Sequence, residues 1–187
     1  MTGTPPDIAI PDDLKPADGR FGSGPSKVRP EAVDALAATG TTYLGTSHRQ
    51  ATVQFVVGSL RNLLAEVLAL PDGYEVLLGN GGTTAFWDAA IFGLIEERSQ
   101  HLSFGEFSSK FASGVAAAPH LAEPTVIASD PGDHPEPKAE DGVDAYCLTH
   151  NETSTGVMMQ LSRPADDGLV LVDATSAACG LLSLIHI

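Results

Sequence analysis

Leu169-Val170-Leu171-Val172-Asp173 narrows most sharply what this chain can fold into. Four apolar β-formers followed by an acid read as a buried strand with a carboxylate at its carboxyl end. In an open α/β sheet that edge is where ligands sit. A carboxylate there can hold a protonated ring nitrogen. The alternative is an Asp that caps the next turn, Ala174-Thr175-Ser176.

The rest of the chain supplies a sheet for that strand. Short apolar strands are predicted at residues 75–78, 101–104, 125–128, 145–149 and 169–172. Helices are predicted at 30–38, with Pro30 near the first turn, and at 53–68, where Val53, Val56, Val57, Leu60, Leu63, Leu64, Val67 and Leu68 recur at helical spacing before Pro71. A third follows Thr83 or Thr84 as cap, with Phe86, Trp87, Ala90, Ile91, Leu94 and Ile95 on its apolar face. A fourth covers 107–118. Strands alternating with helices imply an α/β fold, a mostly parallel sheet covered on both faces with right-handed crossovers. Residues 40–50 read as a polar loop. Residues 130–144, with six acids, one lysine and three prolines, read as a solvated loop.

Composition removes several function classes. The 187 residues suit one domain with room for a tail. A net charge of −14 argues against nucleic acid and against an anionic membrane surface. The polar, proline-rich start is unlike a secretory signal, and no apolar run reaches the length of a membrane span. Cys147 and Cys179 have no metal or disulfide pattern, and His101, His120, His134, His150 and His186 have no ligand spacing. A reducing cytoplasm is the expected compartment.

Several segments can carry chemistry. Leu78-Gly79-Asn80-Gly81-Gly82-Thr83-Thr84 is a glycine turn entering a helix. Free N–H groups and the helix dipole favour an anion such as phosphate there. The alternative is a tight turn with ordinary capping; neither a Walker A loop nor a GxGxxG fingerprint is present. His48-Arg49 in a polar loop can grip a carboxylate or phosphate, or be incidental surface charge. Asn151-Glu152-Thr153-Ser154-Thr155-Gly156 follows a strand at the same expected edge, as ligand contact or polar turn. Phe107 is a core residue unless it stacks on a ring.

Taken together, Phe21-Gly22-Ser23-Gly24-Pro25-Ser26-Lys27, Leu44-Gly45-Thr46-Ser47-His48-Arg49, the segment from Gly79 to Asp88, Gly105-Glu106-Phe107-Ser108, Thr149-His150-Asn151-Glu152-Thr153 and Val172-Asp173-Ala174-Thr175-Ser176 stand in an order that resembles the phosphoserine aminotransferases. These are class V, fold-type I enzymes of pyridoxal 5′-phosphate (PLP), and the resemblance is to the actinobacterial form. It implies the large PLP-binding domain of that fold, truncated. It implies that Gly82, Thr83 and Thr84 hold the cofactor phosphate and that Phe107 stacks on its ring. Thr153 would lie on the phenolic oxygen side, and Asp173 would pair with the pyridine nitrogen. His48 and Arg49 would bind substrate, reaching the active site of a partner subunit in a homodimer. The implied reaction moves an amino group between L-glutamate/2-oxoglutarate and phosphoserine/3-phosphohydroxypyruvate, on the route to serine and in some members to pyridoxine.

The same resemblance implies a departure. The family's Schiff-base lysine lies beyond the segment matching Asp173, whereas Lys15, Lys27, Lys110 and Lys138 all precede it. The expectation is therefore an N-terminal fragment without a catalytic lysine, inactive alone and leaving apolar surface uncovered. Residues 1–20 would be a flexible arm, 21–180 a partial large domain, and 181–187 a non-native tail, in which 182–187 match a sequencing adaptor or else form a short terminal strand, with the C-terminal small domain absent. The rival readings are another class V aminotransferase, a cysteine desulfurase, or a non-catalytic phosphate-binding α/β module.

Overall fold

The structure is a computed structural model that describes residues 8–20, 27–178 and 180. The predicted turn at Phe21–Ser26, Cys179 and the tail at 181–187 lie outside the described residues. The chain divides into two units, Met1–Gly58 and Ser59–Ile187.

In the first unit, α1 spans Pro30–Ala38 with its proline in the opening turn, where the missing N–H has no intrahelical partner to lose. A short 3-10 turn, Gly40–Thr42, interrupts the polar loop that the sequence predicts. The long helix α2, Ala51–Val67, begins in this unit and runs into the second. It ends where Ala69 adopts φ 48° and Leu70 N–H returns to Ala65 O at 2.9 Å, one residue before Pro71. None of its residues is buried, and Phe55, Leu63 and Val67 are largely exposed.

The second unit holds the sheet. Its strands are β1 (Ser99–Ser103), β2 (Thr125–Ala128), β3 (Ala145–Thr149) and β6 (Leu169–Asp173), paired in parallel in the order β2-β1-β3-β6. A small antiparallel hairpin, β4 (Asn151–Glu152) with β5 (Val157–Met158), follows β3. Helices α3 (Thr84–Gly93) and α4 (Glu106–Ala116) precede and follow β1.

Strand alternation sorts the two faces. Ala145, Cys147 and Leu171 pack with Ala90, Ile91, Phe111 and Val115 of α3 and α4. Leu148, Val170 and Val172 point to the other face, against Leu102, Phe104, Met159, Val157 and Leu161. By the same alternation Thr149 and Asp173, paired across β3 and β6, fall on the helical face at the carboxyl edge. The chain leaves β1 toward β2 on one side and returns to β3 on the other, so the order reverses between β1 and β3, beside that edge.

Two local expectations need correction. Residues 75–78 form no strand: Leu77 and Leu78 are exposed, and no described strand lies beside them to complete a ladder. The Arg61 guanidinium instead donates to Val76 O at 2.8 Å. Residues 130–144 are not uniformly solvated. The Asp144 carboxylate accepts the N–H groups of Glu96, Glu97 and Arg98 at 3.0, 2.7 and 2.7 Å. Glu140 accepts from Thr125 and Gln100 at 2.8 and 3.0 Å and pairs with Arg98 at 3.0 Å.

Candidate cofactor site

A cavity of about 230 Å³ opens at the carboxyl edge, somewhat smaller than the usual ligand site. Thr83 and Thr84 line it from the start of α3, Phe107 and Lys110 from α4, Thr149, Asn151 and Thr153 from the end of β3 and the hairpin, and Asp173, Thr175 and Ser176 from the end of β6. Of the residues singled out in the sequence, Thr83, Thr84, Phe107, Thr153 and Asp173 meet here. Gly82 sits one residue before Thr83 with φ 94°, a backbone conformation that glycine adopts without strain.

Asp173 is 5% exposed, and both of its oxygens accept hydrogen bonds. Its Oδ1 accepts the Thr175 N–H at 3.0 Å and the Thr175 hydroxyl at 2.5 Å. Its Oδ2 accepts the indole N–H of Trp87 at 3.1 Å. So this acid caps the next turn and faces the cavity together; the two sequence readings are compatible. The Thr175 hydroxyl also meets that of Thr83, which ties the glycine turn to the end of β6. Ser176 joins the third side, its Oγ accepting from Asn151 Nδ2 and Thr153 Oγ1, both at 2.8 Å.

Two helix N-termini face this edge, and they differ. That of α4 is taken. Glu106 N–H donates to Ser154 Oγ at 2.9 Å, and Phe107 and Ser108 N–H donate to the Glu152 carboxylate at 3.3 and 2.8 Å. Burial works to raise the Glu152 pKa, but the hydrogen bonds from Ser108 and Ser154 outweigh it and hold the carboxyl below its usual value. A carboxylate there already satisfies the helix dipole. At α3 the Thr83 side chain makes no cap bond, and Thr83 and Thr84 turn toward the cavity. Of the two, the N-terminus of α3 is therefore the one with backbone N–H groups at Gly82-Thr83-Thr84 that donate to no protein group among the described residues.

Sequence reasoning placed Trp87 on the apolar face of its helix and missed its second role. The ring stacks on Phe111 at 5.6 Å and 9° while its N–H holds Asp173. The signal was available: Trp87 stands three residues after Thr84 and four after Thr83, on the same side of the helix. Lys110, the one cation among the described residues that line the cavity, pairs with Glu106 at 2.9 Å. His48 and Arg49 lie exposed in the turn before α2, in the first unit. Among the described residues no His, Cys, Asp or Glu group is placed to hold a metal, and no helix is long and apolar enough to cross a membrane.

No family model matches the chain. A phosphoserine aminotransferase from Nocardioides is 66% identical over 178 residues, 93% of this chain and 48% of that protein. A putative phosphoserine aminotransferase from Mycobacterium avium is 61% identical over 176 residues. The chain is a homologue of the phosphoserine aminotransferases. It spans about half the length of the curated relatives it matches. Among solved structures, the phosphoserine aminotransferase of Cytophaga hutchinsonii superposes with a TM-score of 0.76 at 27% identity, over 84% of this chain and 46% of that one. An alanine–glyoxylate aminotransferase from Nostoc shares the fold at a TM-score of 0.68 and 19% identity, over 94% of this chain and 50% of that one. A PLP-bound phosphoserine aminotransferase from Trichomonas vaginalis shares it at 0.69 and 21% identity, over 83% of this chain and 50% of that one. The fold is thus the mostly parallel, helix-flanked sheet expected for a PLP-dependent aminotransferase.

Proposed function

We propose that this chain is the cofactor-binding half of a PLP-dependent phosphoserine aminotransferase. Its whole enzyme would transfer an amino group between glutamate and 3-phosphohydroxypyruvate, in cytoplasmic serine synthesis. The single observation that carries the reading is the cavity that sets a buried acid, an uncommitted helix N-terminus and an exposed aromatic face around one space.

The residues fit the cofactor by their chemistry. When bound, PLP supplies an electron sink through its protonated ring. Asp173 would hold the ring nitrogen's proton, since a carboxylate already fixed by Trp87 and Thr175 is oriented at no further entropic cost. Gly82, Thr83 and Thr84 would receive the phosphate. Phe107 would cover one face of the ring, and Thr153 would stand near its oxygen substituent. His48 and Arg49 would grip the substrate in the partner subunit of a homodimer, where an arginine fork suits carboxylate or phosphate. The large-domain assignment for residues 21–180, behind an N-terminal arm, belongs to the same proposal. The relatives' names support the phosphoserine reading over an alanine–glyoxylate one.

Trp87 is the sole tryptophan, so its emission reports on the site. Titrating PLP into the chain should quench that emission saturably. Asp173→Asn should weaken binding about tenfold, the scale of one charge-assisted hydrogen bond. No saturable quench, or an Asp173→Asn affinity equal to wild type, would overturn the reading. Displacement of PLP by nucleotide would favour a general phosphate-binding module instead.

A further inference from the structure

Glu152 is buried to 0% exposure, and no step of the proposed chemistry uses it. Its Oε1 accepts from Phe107 N–H at 3.3 Å and from the Ser154 N–H and hydroxyl at 3.2 and 2.8 Å. Its Oε2 accepts from the Ser108 N–H and hydroxyl, both at 2.8 Å. The Ser154 hydroxyl, while donating to Glu152, accepts the Glu106 N–H at 2.9 Å. One carboxylate thus fastens the first turn of α4 to the loop of the β4–β5 hairpin. Phe107 is bonded to it directly, and Thr153 lies between two residues that belong to the clamp.

The clamp needs space as well as donors. A Cβ on Gly105 would lie 2.3 Å from Glu152 Cγ, 2.5 Å from its Cδ and 2.6 Å from Ser154 Oγ. Gly105 has φ 175°, extended backbone open to any residue. Glycine is required there because the buried carboxylate occupies the volume of a side chain.

We propose that Glu152, seated on Gly105, is a positioning residue that fixes Phe107 and Thr153 around the cavity without touching the cofactor. The proposal rests on the PLP reading above for its functional meaning.

The test uses the full chain as wild type, Glu152→Ala, Gly105→Ala and the double variant. PLP affinity is read from Trp87 emission, and amide hydrogen exchange is read without PLP. Glu152→Ala should raise the PLP Kd about tenfold. Exchange should quicken in residues 105–109 and 152–156 and stay unchanged in β1 and β3. Gly105→Ala should weaken binding alone but change it less than about twofold when Glu152 is already Ala, because the clashes with Glu152 Cγ and Cδ are gone and the Ser154 hydroxyl, released by the carboxylate, can rotate away from the new Cβ. If Glu152→Ala does not fold, Glu152→Gln keeps the volume and replaces one acceptor oxygen by a donor facing other donors; the same pattern is expected. Faster exchange across the whole sheet, an unchanged Kd despite local loosening, or additive effects of the two substitutions would each overturn the proposal. A wild-type chain without saturable quench overturns the PLP reading instead, and the amide-exchange pattern of the four proteins then judges the clamp alone.

Discussion

Lowering the pH should unsettle the floor of the cavity through His101. His101 is 1% exposed in β1, with its Nε2 at 2.9 Å from Ser99 Oγ and its ring edge-on to Phe111 at 4.9 Å. Phe111 carries the ring of Trp87, which holds Asp173. Burial pushes the His101 pKa down from 6.5 to about 4. The folded chain therefore keeps this ring neutral where the unfolded chain protonates it. Protons favour the unfolded state in that window, so stability is complete above about pH 6.5 and declines as pH falls toward about 4. At about 1.4 kcal/mol per pH unit, the loss across the window is about 3 kcal/mol. Urea titrations of wild type and His101→Gln, followed by Trp87 emission between about pH 4 and 7.5, measure it. Glutamine keeps a polar partner for Ser99 and has no proton to gain. The wild-type curve should therefore fall away from the variant by that amount, while the other acids contribute equally to both. Parallel curves would refute the argument.

Three further outcomes are expected. Trp87→Phe keeps the stack on Phe111 but removes the donor to Asp173, and should cost about 1–2 kcal/mol in urea unfolding followed by far-UV circular dichroism. A stability equal to wild type would show that the indole bond contributes nothing. Gly82→Ala meets no atom within 4 Å but must adopt φ 94°, so it should cost about 1 kcal/mol and weaken PLP binding. Gly79→Ala, equally free of contacts and without a positive φ, should be close to neutral in the same assays. Leu63→Gln with Val67→Gln should raise soluble yield and leave stability within about 0.5 kcal/mol, because those side chains are 59% and 73% exposed. A markedly larger stability loss would mean that they are covered in solution.

The local elements were legible because each carries its own period or stop signal. Pro30 and the Pro71 stop bracket the first two helices, and the apolar runs at 125–128, 145–149 and 169–172 hold as strands, the last extended to Asp173. The run at 75–78 reads the same way but fails, because a strand exists only where a neighbour supplies its hydrogen bonds. The acids of 130–144 look solvated in sequence, since charge alone does not reveal that Asp144 and Glu140 meet the start of β1 and β2.

What the sequence determined by itself was the list of parts: an acid at a strand end, a glycine turn before a helix, an aromatic residue at another helix start. Period and turn chemistry are local, and local signals survive in one dimension. Their relations were decided only by the tertiary structure. Strand parity and the β3–β6 register put Thr149 and Asp173 on the helical face, and α3 brings Trp87 beneath the acid across 86 positions of sequence. Which helix N-terminus stays open to an anion was likewise invisible, because Glu152 and the turn it closes are 44 residues apart and meet only when the sheet assembles.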